Sequence, residues 1–168
     1  TLNARAQPLT SAVITYNQGD EKVPINHNPT GISEIVATSP EKDLCILKAN
    51  EYIKPVVFEQ SYPIEPLIPV KIIGAPQGVF PIVYDTYLAG MITRDSLPFY
   101  YMMESGGDYL FVSGPTVGGS SGSPIFNEEG RVIGIIFATT QTLYGGIGIH
   151  VDDILDYLDE LDIDYRAR

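Results

Sequence analysis

The chain is poor in the groups that staple or metallate small proteins. Of its 168 residues only one is a cysteine, Cys45, so no intrachain disulfide and no cysteine-based zinc site can form. Basic residues are also few, 10 Lys and Arg against 21 Asp and Glu, and the net charge of −11 argues against nucleic-acid binding. No apolar run approaches the roughly 20 residues that a membrane helix needs. The longest, residues 132–138, still has Gly134 inside it. An N-x-S/T acceptor is missing too, because Pro29 spoils Asn28-Pro29-Thr30. Histidine occurs only at His27 and His150, and this scarcity matters below. The chain begins at Thr1, with no charged-then-apolar leader after it.

What is present suits a packed domain. Hydrophobic residues make up 44% and charged residues 18%, which excludes a disordered tail. A chain of this length forms one domain or two small ones and buries roughly 70% of its unfolded surface. Its apolar pattern is short and strand-like. Strands are expected at residues 11–17, 34–38, 44–48, 52–58, 70–74, 79–87, 90–93, 99–103, 109–112, 131–138 and 146–151, punctuated by 16 Gly and 13 Pro. Pro55 demotes residues 52–58 to an edge or irregular strand. Pro63, Pro66 and Pro69 mark residues 59–69 as an extended linker. About a dozen evenly spaced strands indicate an all-β sandwich or barrels. One helix is expected over 152–162, capped by Asp152 or Asp153, with Ile154, Leu155, Leu158 and Leu161 as its apolar stripe.

The stretch with the most chemistry is Gly118-Gly119-Ser120-Ser121-Gly122-Ser123-Pro124-Ile125-Phe126-Asn127. Such a loop can be a mere connection between strands. It is not a phosphate loop, since neither a lysine nor a helix follows the last glycine. A serine nucleophile, by contrast, requires a tight turn with backbone N–H groups converging beside it, and flanking glycines permit that approach.

This segment, with the strand Val132-Ile133-Gly134-Ile135 after it, resembles the nucleophile region of chymotrypsin/trypsin-like serine proteases. The HtrA-like (trypsin-2) group, with viral and phage relatives, is the nearest in flavour. Lys42-Asp43-Leu44-Cys45-Ile46-Leu47-Lys48 resembles the family strand that carries the triad acid. Ile73-Gly74-Ala75-Pro76-Gln77-Gly78 resembles the opening of the second barrel, and residues 146–151 with the helix resemble the end of the fold.

The resemblance implies an all-β, chymotrypsin-like double antiparallel β-barrel with one C-terminal helix. Residues 1–58 would be the remainder of an incomplete N-terminal barrel, 59–69 a linker, and 70–168 the C-terminal barrel and closing helix. It implies a serine endopeptidase with Ser121 as nucleophile, Asp43 as triad acid, and an oxyanion hole from the backbone N–H groups of Gly119 and Ser121. The substrate pocket would be lined by Pro115, Thr116, Val117, Phe137, Ala138, Thr139 and Gly146. None of these carries a charge, so a small or apolar side chain is expected at the cleaved position. Phe137 closes this pocket or sits in the barrel core. The strand 137–139 could pair with a substrate as an added β-strand. Tyr100, Tyr101 and Tyr109 either line a groove or are half-buried strand residues.

The triad also needs a histidine. The family pattern places it ahead of Thr1. His27 falls after the expected strand 11–17, and His150 falls in the last strand, where it reads as structural. The expectation is that an upstream segment or companion fragment supplies the histidine and completes the first barrel. The alternative is a catalytically inactive protease-fold interaction module. The resemblance implies a protein or peptide substrate, no metal and no organic cofactor. Neither nucleic acid nor membrane is expected as a partner.

Overall fold

The computed structural model describes residues 3–4, 7–11, 32–49, 55–60, 64–79, 82–93, 108–140, 143–165 and 167. Strands β1 (Asn3–Ala4), β2 (Gln7–Ser11), β3 (Ile32–Ser39) and β4 (Leu44–Ala49) form an antiparallel sheet in the order β1-β2-β4-β3. Strands β5 (Ile68–Gly74), β6 (Ile82–Ile92), β7 (Tyr109–Ser113), β8 (Pro124–Phe126), β9 (Val132–Thr140) and β10 (Gly145–His150) close a barrel in the order β10-β7-β6-β5-β8-β9. Helix α1 (Val151–Glu160) follows directly. No helix among the described residues is long and apolar enough to cross a membrane.

The alternation that a half-buried strand requires is clearest in β5. There Val70, Ile72 and Gly74 are buried while Pro69 and Lys71 are exposed. Strand β6 unites two expected strands, 79–87 and 90–93. A register shift between Leu88 and Gly90 lets the pairing with β7 continue across the interruption. Residues 132–137 of β9 are buried without alternation because both faces are covered. Ile133 and Ile136 fill the barrel with Val70, Ile72, Leu88, Leu110, Val112 and Ile125. Val132, Ile135 and Phe137 belong to a second core outside the barrel, shared with Ile147 and Ile149 of β10, with Leu44 and Ile46 of β4, and with Val151, Ile154, Leu155, Tyr157 and Leu158 of α1. Each such side chain contributes about 1.5–3 kcal/mol on burial. This second core joins the first sheet, the barrel wall and the helix.

Helix α1 starts one residue earlier than expected and is capped differently. His150 has extended backbone (φ −67, ψ 150), and its side chain accepts from the Asp152 amide. Asp152 and Asp153 instead occupy the first turn, where the helix dipole favours carboxylates.

Segment 55–60 runs beside β9: Phe58 bridges both Val132 and Ala167, and Glu59 N–H donates to Val132 O at 3.0 Å. The Glu59 side chain, only 13% exposed, pairs with Arg131 Nη1 at 3.0 Å and accepts from Asn127 Nδ2 at 2.8 Å. Glu59, the first residue of the expected extended linker, is thus fastened to the barrel. The expected strand 99–103 lies outside the described residues, as does all of 11–17 beyond Ser11.

Candidate active site

The loop between β7 and β8 owes its shape to a set of short backbone bonds. Ser120 is fully buried and closes a reciprocal pair with Val117, donating its N–H to Val117 O (2.9 Å) and accepting the Val117 N–H at Oγ (3.2 Å). Ser123 N–H donates to Ser120 O at 3.0 Å. Two bonds tie the loop to β9, Gly122 N–H to Ile136 O (2.8 Å) and Ile136 N–H to Ser123 O (2.9 Å). On the other side Gln77 N–H donates to Gly118 O at 2.8 Å. Gly119 has φ +91, and a Cβ there would sit 2.7 Å from Ala75 O and 2.8 Å from Gln77 N. Only glycine meets both conditions.

Ser121 occupies the turn between Gly119 and Gly122, both at positive φ. Its Oγ donates to Phe137 O at 3.0 Å. A carbonyl orients a hydroxyl but cannot take its proton, so nucleophilic chemistry at Ser121 needs a base as well. Among the described residues, no backbone carbonyl accepts from the amides of Gly119 or Ser121, whereas those of Ser120, Gly122 and Ser123 are all engaged. Two free donors beside a half-buried hydroxyl are what a developing oxyanion requires.

Asp43 is the last residue of the turn between β3 and β4, at φ +51, a conformation that Asp tolerates better than most residues. Its N–H donates to Pro40 O at 3.3 Å, and Lys42 N–H reaches Ser39 O at 3.2 Å and Ser39 Oγ at 3.3 Å. The next residue, Leu44, enters the same core as Phe137. The strand that follows Asp43 and the residue whose carbonyl holds Ser121 therefore share one packed layer.

The expected pocket residues divide. Thr116 and Gly146 come together, since a Cβ on Gly146 would lie 2.8 Å from Thr116 Cγ2 and 3.1 Å from Thr116 Oγ1. It would also lie 3.1 Å from Ile136 Cδ1, so Ile136 backs the same position from inside the barrel. Thr116 Oγ1 is buried without a hydrogen-bond partner. Thr139 pairs with Gly146 across β9 and β10, and Ala138 pairs with Ile147. Pro115 is exposed and Val117 half-buried. The Phe137 side chain turns the other way, into the outer core, against the Tyr109 ring at 5.3 Å. Tyr109 is 1% exposed and lines no groove; Tyr100 and Tyr101 lie outside the described residues.

His27 also lies outside the described residues. His150 is committed to α1, its Nδ1 accepting from Asp152 N at 3.2 Å with Asp152 Oδ2 3.5 Å away. Burial pushes the Cys45 thiol up from its ordinary 9.0. The Tyr157 hydroxyl also rises, through burial first and then the charges of Cys45 and Glu160.

The family model of the trypsin-like peptidase domain matches residues 8–135 of this sequence. The chain belongs to the trypsin-like peptidase family. Solved structures of this peptidase architecture agree in fold. The active form of the Rv3671c protease from M. tuberculosis superposes with a TM-score of 0.65 at 20% identity, covering 79% of this chain and 59% of that one. The HtrA-type protease AlgW with a decapeptide gives 0.65 at 20% identity, over 77% of this chain and 40% of that one. Deg5 gives 0.56 at 22% identity, over 74% and 59%. The peptidase chain thus has a chymotrypsin-like fold shared with HtrA-type proteases, and it spans less than two thirds of the length of each. No curated protein sequence matches it.

Proposed function

We propose that this peptidase domain is a serine endopeptidase that cleaves through an acyl-enzyme on Ser121. The carrying observation is the Ser121 turn, with its oriented hydroxyl and two adjacent amides that no backbone carbonyl engages. Ser121 Oγ attacks the scissile carbonyl and its proton passes to a histidine. That histidine is supplied by a segment upstream of Thr1, or by a companion fragment, and Asp43 orients it. The Gly119 and Ser121 N–H groups hold the oxyanion. Collapse breaks the C–N bond, and the histidine returns the proton to the leaving amine. Water, deprotonated by the same histidine, then hydrolyses the ester and frees Ser121. Thr116, Thr139 and Gly146, backed by Ile136, form an uncharged wall that suits a small or apolar side chain at the cleaved position. The strand 137–139 offers its backbone to the substrate. In this reading residues 59–69 link the two halves of the fold.

A second reading is a protease fold without turnover. The placement of His150 favours it, because the one histidine among the described residues is spent on capping a helix. Intact mass of the full-length protein after a fluorophosphonate probe separates the two. An adduct mapping to Ser121 is expected. An unmodified protein would overturn the endopeptidase reading and leave the interaction module.

A further inference from the structure

The turn that carries Asp43 is tied to a distant part of the chain. Its three backbone N–H bonds measure 3.2, 3.3 and 3.3 Å, at the long end of the useful range. One anchor of the turn lies on helix α1. Lys42 Nζ meets Glu160 Oε1 at 2.8 Å, across 118 residues of sequence. The same ammonium stands 5.4 Å from the centroid of the Tyr157 ring. Glu160 is the last residue of α1, so the cation also lies at the end of the helix where the dipole favours positive charge. The Lys42 side chain is 16% exposed and its partner 60%. An exposed ion pair alone would add little. A lysine stem laid along the protein, its head over an aromatic ring and against a carboxylate, combines three favourable terms. On the other side of Asp43, Leu44 packs in one core with Leu155 and Leu158. Asp43 is thus bracketed by two residues that both engage α1.

We propose that Lys42 is a positioning residue. Clamped by Tyr157 and Glu160, it lets helix α1 set the place of Asp43 and so the alignment of the histidine that Asp43 orients. This rests on the endopeptidase reading above. In that reading Asp43 does its work by geometry, and small misplacements of a catalytic group are expensive. The clamp makes catalytic competence depend on the docking of the closing helix, although no residue of α1 belongs to the proposed triad.

The experiment compares full-length wild type with Lys42→Met, Glu160→Gln and Lys42→Arg. It uses the rate of fluorophosphonate labelling and steady-state cleavage of a peptide substrate. Lys42→Met keeps the stem and loses the charge; Glu160→Gln removes the partner from an exposed position where folding is not at issue. Both should lower kcat and the labelling rate by about tenfold, leaving KM and the melting temperature near wild type. Lys42→Arg keeps charge and ring stacking and should recover most of the loss. A labelled wild type with equally fast Lys42→Met and Glu160→Gln variants would overturn the clamp and leave the endopeptidase reading standing. So would an equal rise in KM with kcat unchanged, which would place Lys42 in substrate binding. A wild type that takes no label at all would overturn both.

Discussion

The loop bearing Ser121 and the turn bearing Asp43 are held in place by unlike means. Ser121 stands on a closed barrel, between strands whose pairing leaves no edge, and its loop is bound to β9 on one side and to the 75–78 turn on the other. Asp43 stands on a four-stranded sheet that is not closed among the described residues, on a turn with long hydrogen bonds and an anchor on α1. The first is held by a dense set of backbone bonds, within the loop and to the barrel around it. The second combines bonds within the turn with side-chain contacts to α1. A perturbation near Ser121 should therefore act through chemistry or through gross misfolding, whereas one near Asp43 should act through alignment.

The largest effect expected is that of Ser121→Ala on peptide cleavage. Turnover should fall by about a millionfold, as when a nucleophile is removed from a triad. The lost bond to Phe137 O should reduce stability by only about 1 kcal/mol. Turnover assays with a chemical-denaturation curve check both, and a variant that unfolds instead would break the contrast by making the serine structural.

Next comes Gly119→Ala, which forces a Cβ against Ala75 O and Gln77 N at positive φ. About 3 kcal/mol of destabilisation is expected, from strain and overpacking together. A shifted denaturation midpoint measures it. A small shift would mean that the loop yields more readily than its bonds suggest.

The smallest effect concerns the β4–α1 seam. Burial raises Cys45 and Tyr157 above 9.0 and 10.0. The fold favours their protonated forms, so this contribution is complete below those values. It is lost as pH rises through them toward the higher folded-state values. The melting temperature should decline above about pH 9, and Cys45→Ala with Tyr157→Phe should flatten that decline. An unchanged slope in the double variant would assign the alkaline loss to other groups.

Much of this was legible in the sequence because it is local. The Gly119–Pro124 pattern has a physical meaning at short range, and the apolar runs of β5, β7 and β9 announce strands whatever their partners. Three things were not readable. Strand β9 shifts register against both neighbours, at Phe126 and at Ile147, which spoils a strict period of two. The bulges decide which way each β9 side chain faces: Phe137 enters the outer core and Ile136 the barrel, facts that no alternation in the sequence announces. Contacts between charged residues far apart in sequence, such as Lys42 with Glu160 or Glu59 with Arg131, leave no periodic trace at all. Nor did His150 advertise itself as a cap, since serine, threonine, asparagine and aspartate are the usual residues there.

The outer core also orders events in time. Its members run from Leu44 to Leu158, so during synthesis the strand behind Asp43 has no helix to rest on until almost the whole domain has left the ribosome. Domains fold as units as they emerge. The outer core therefore closes only once α1 has emerged, whichever strands have already paired.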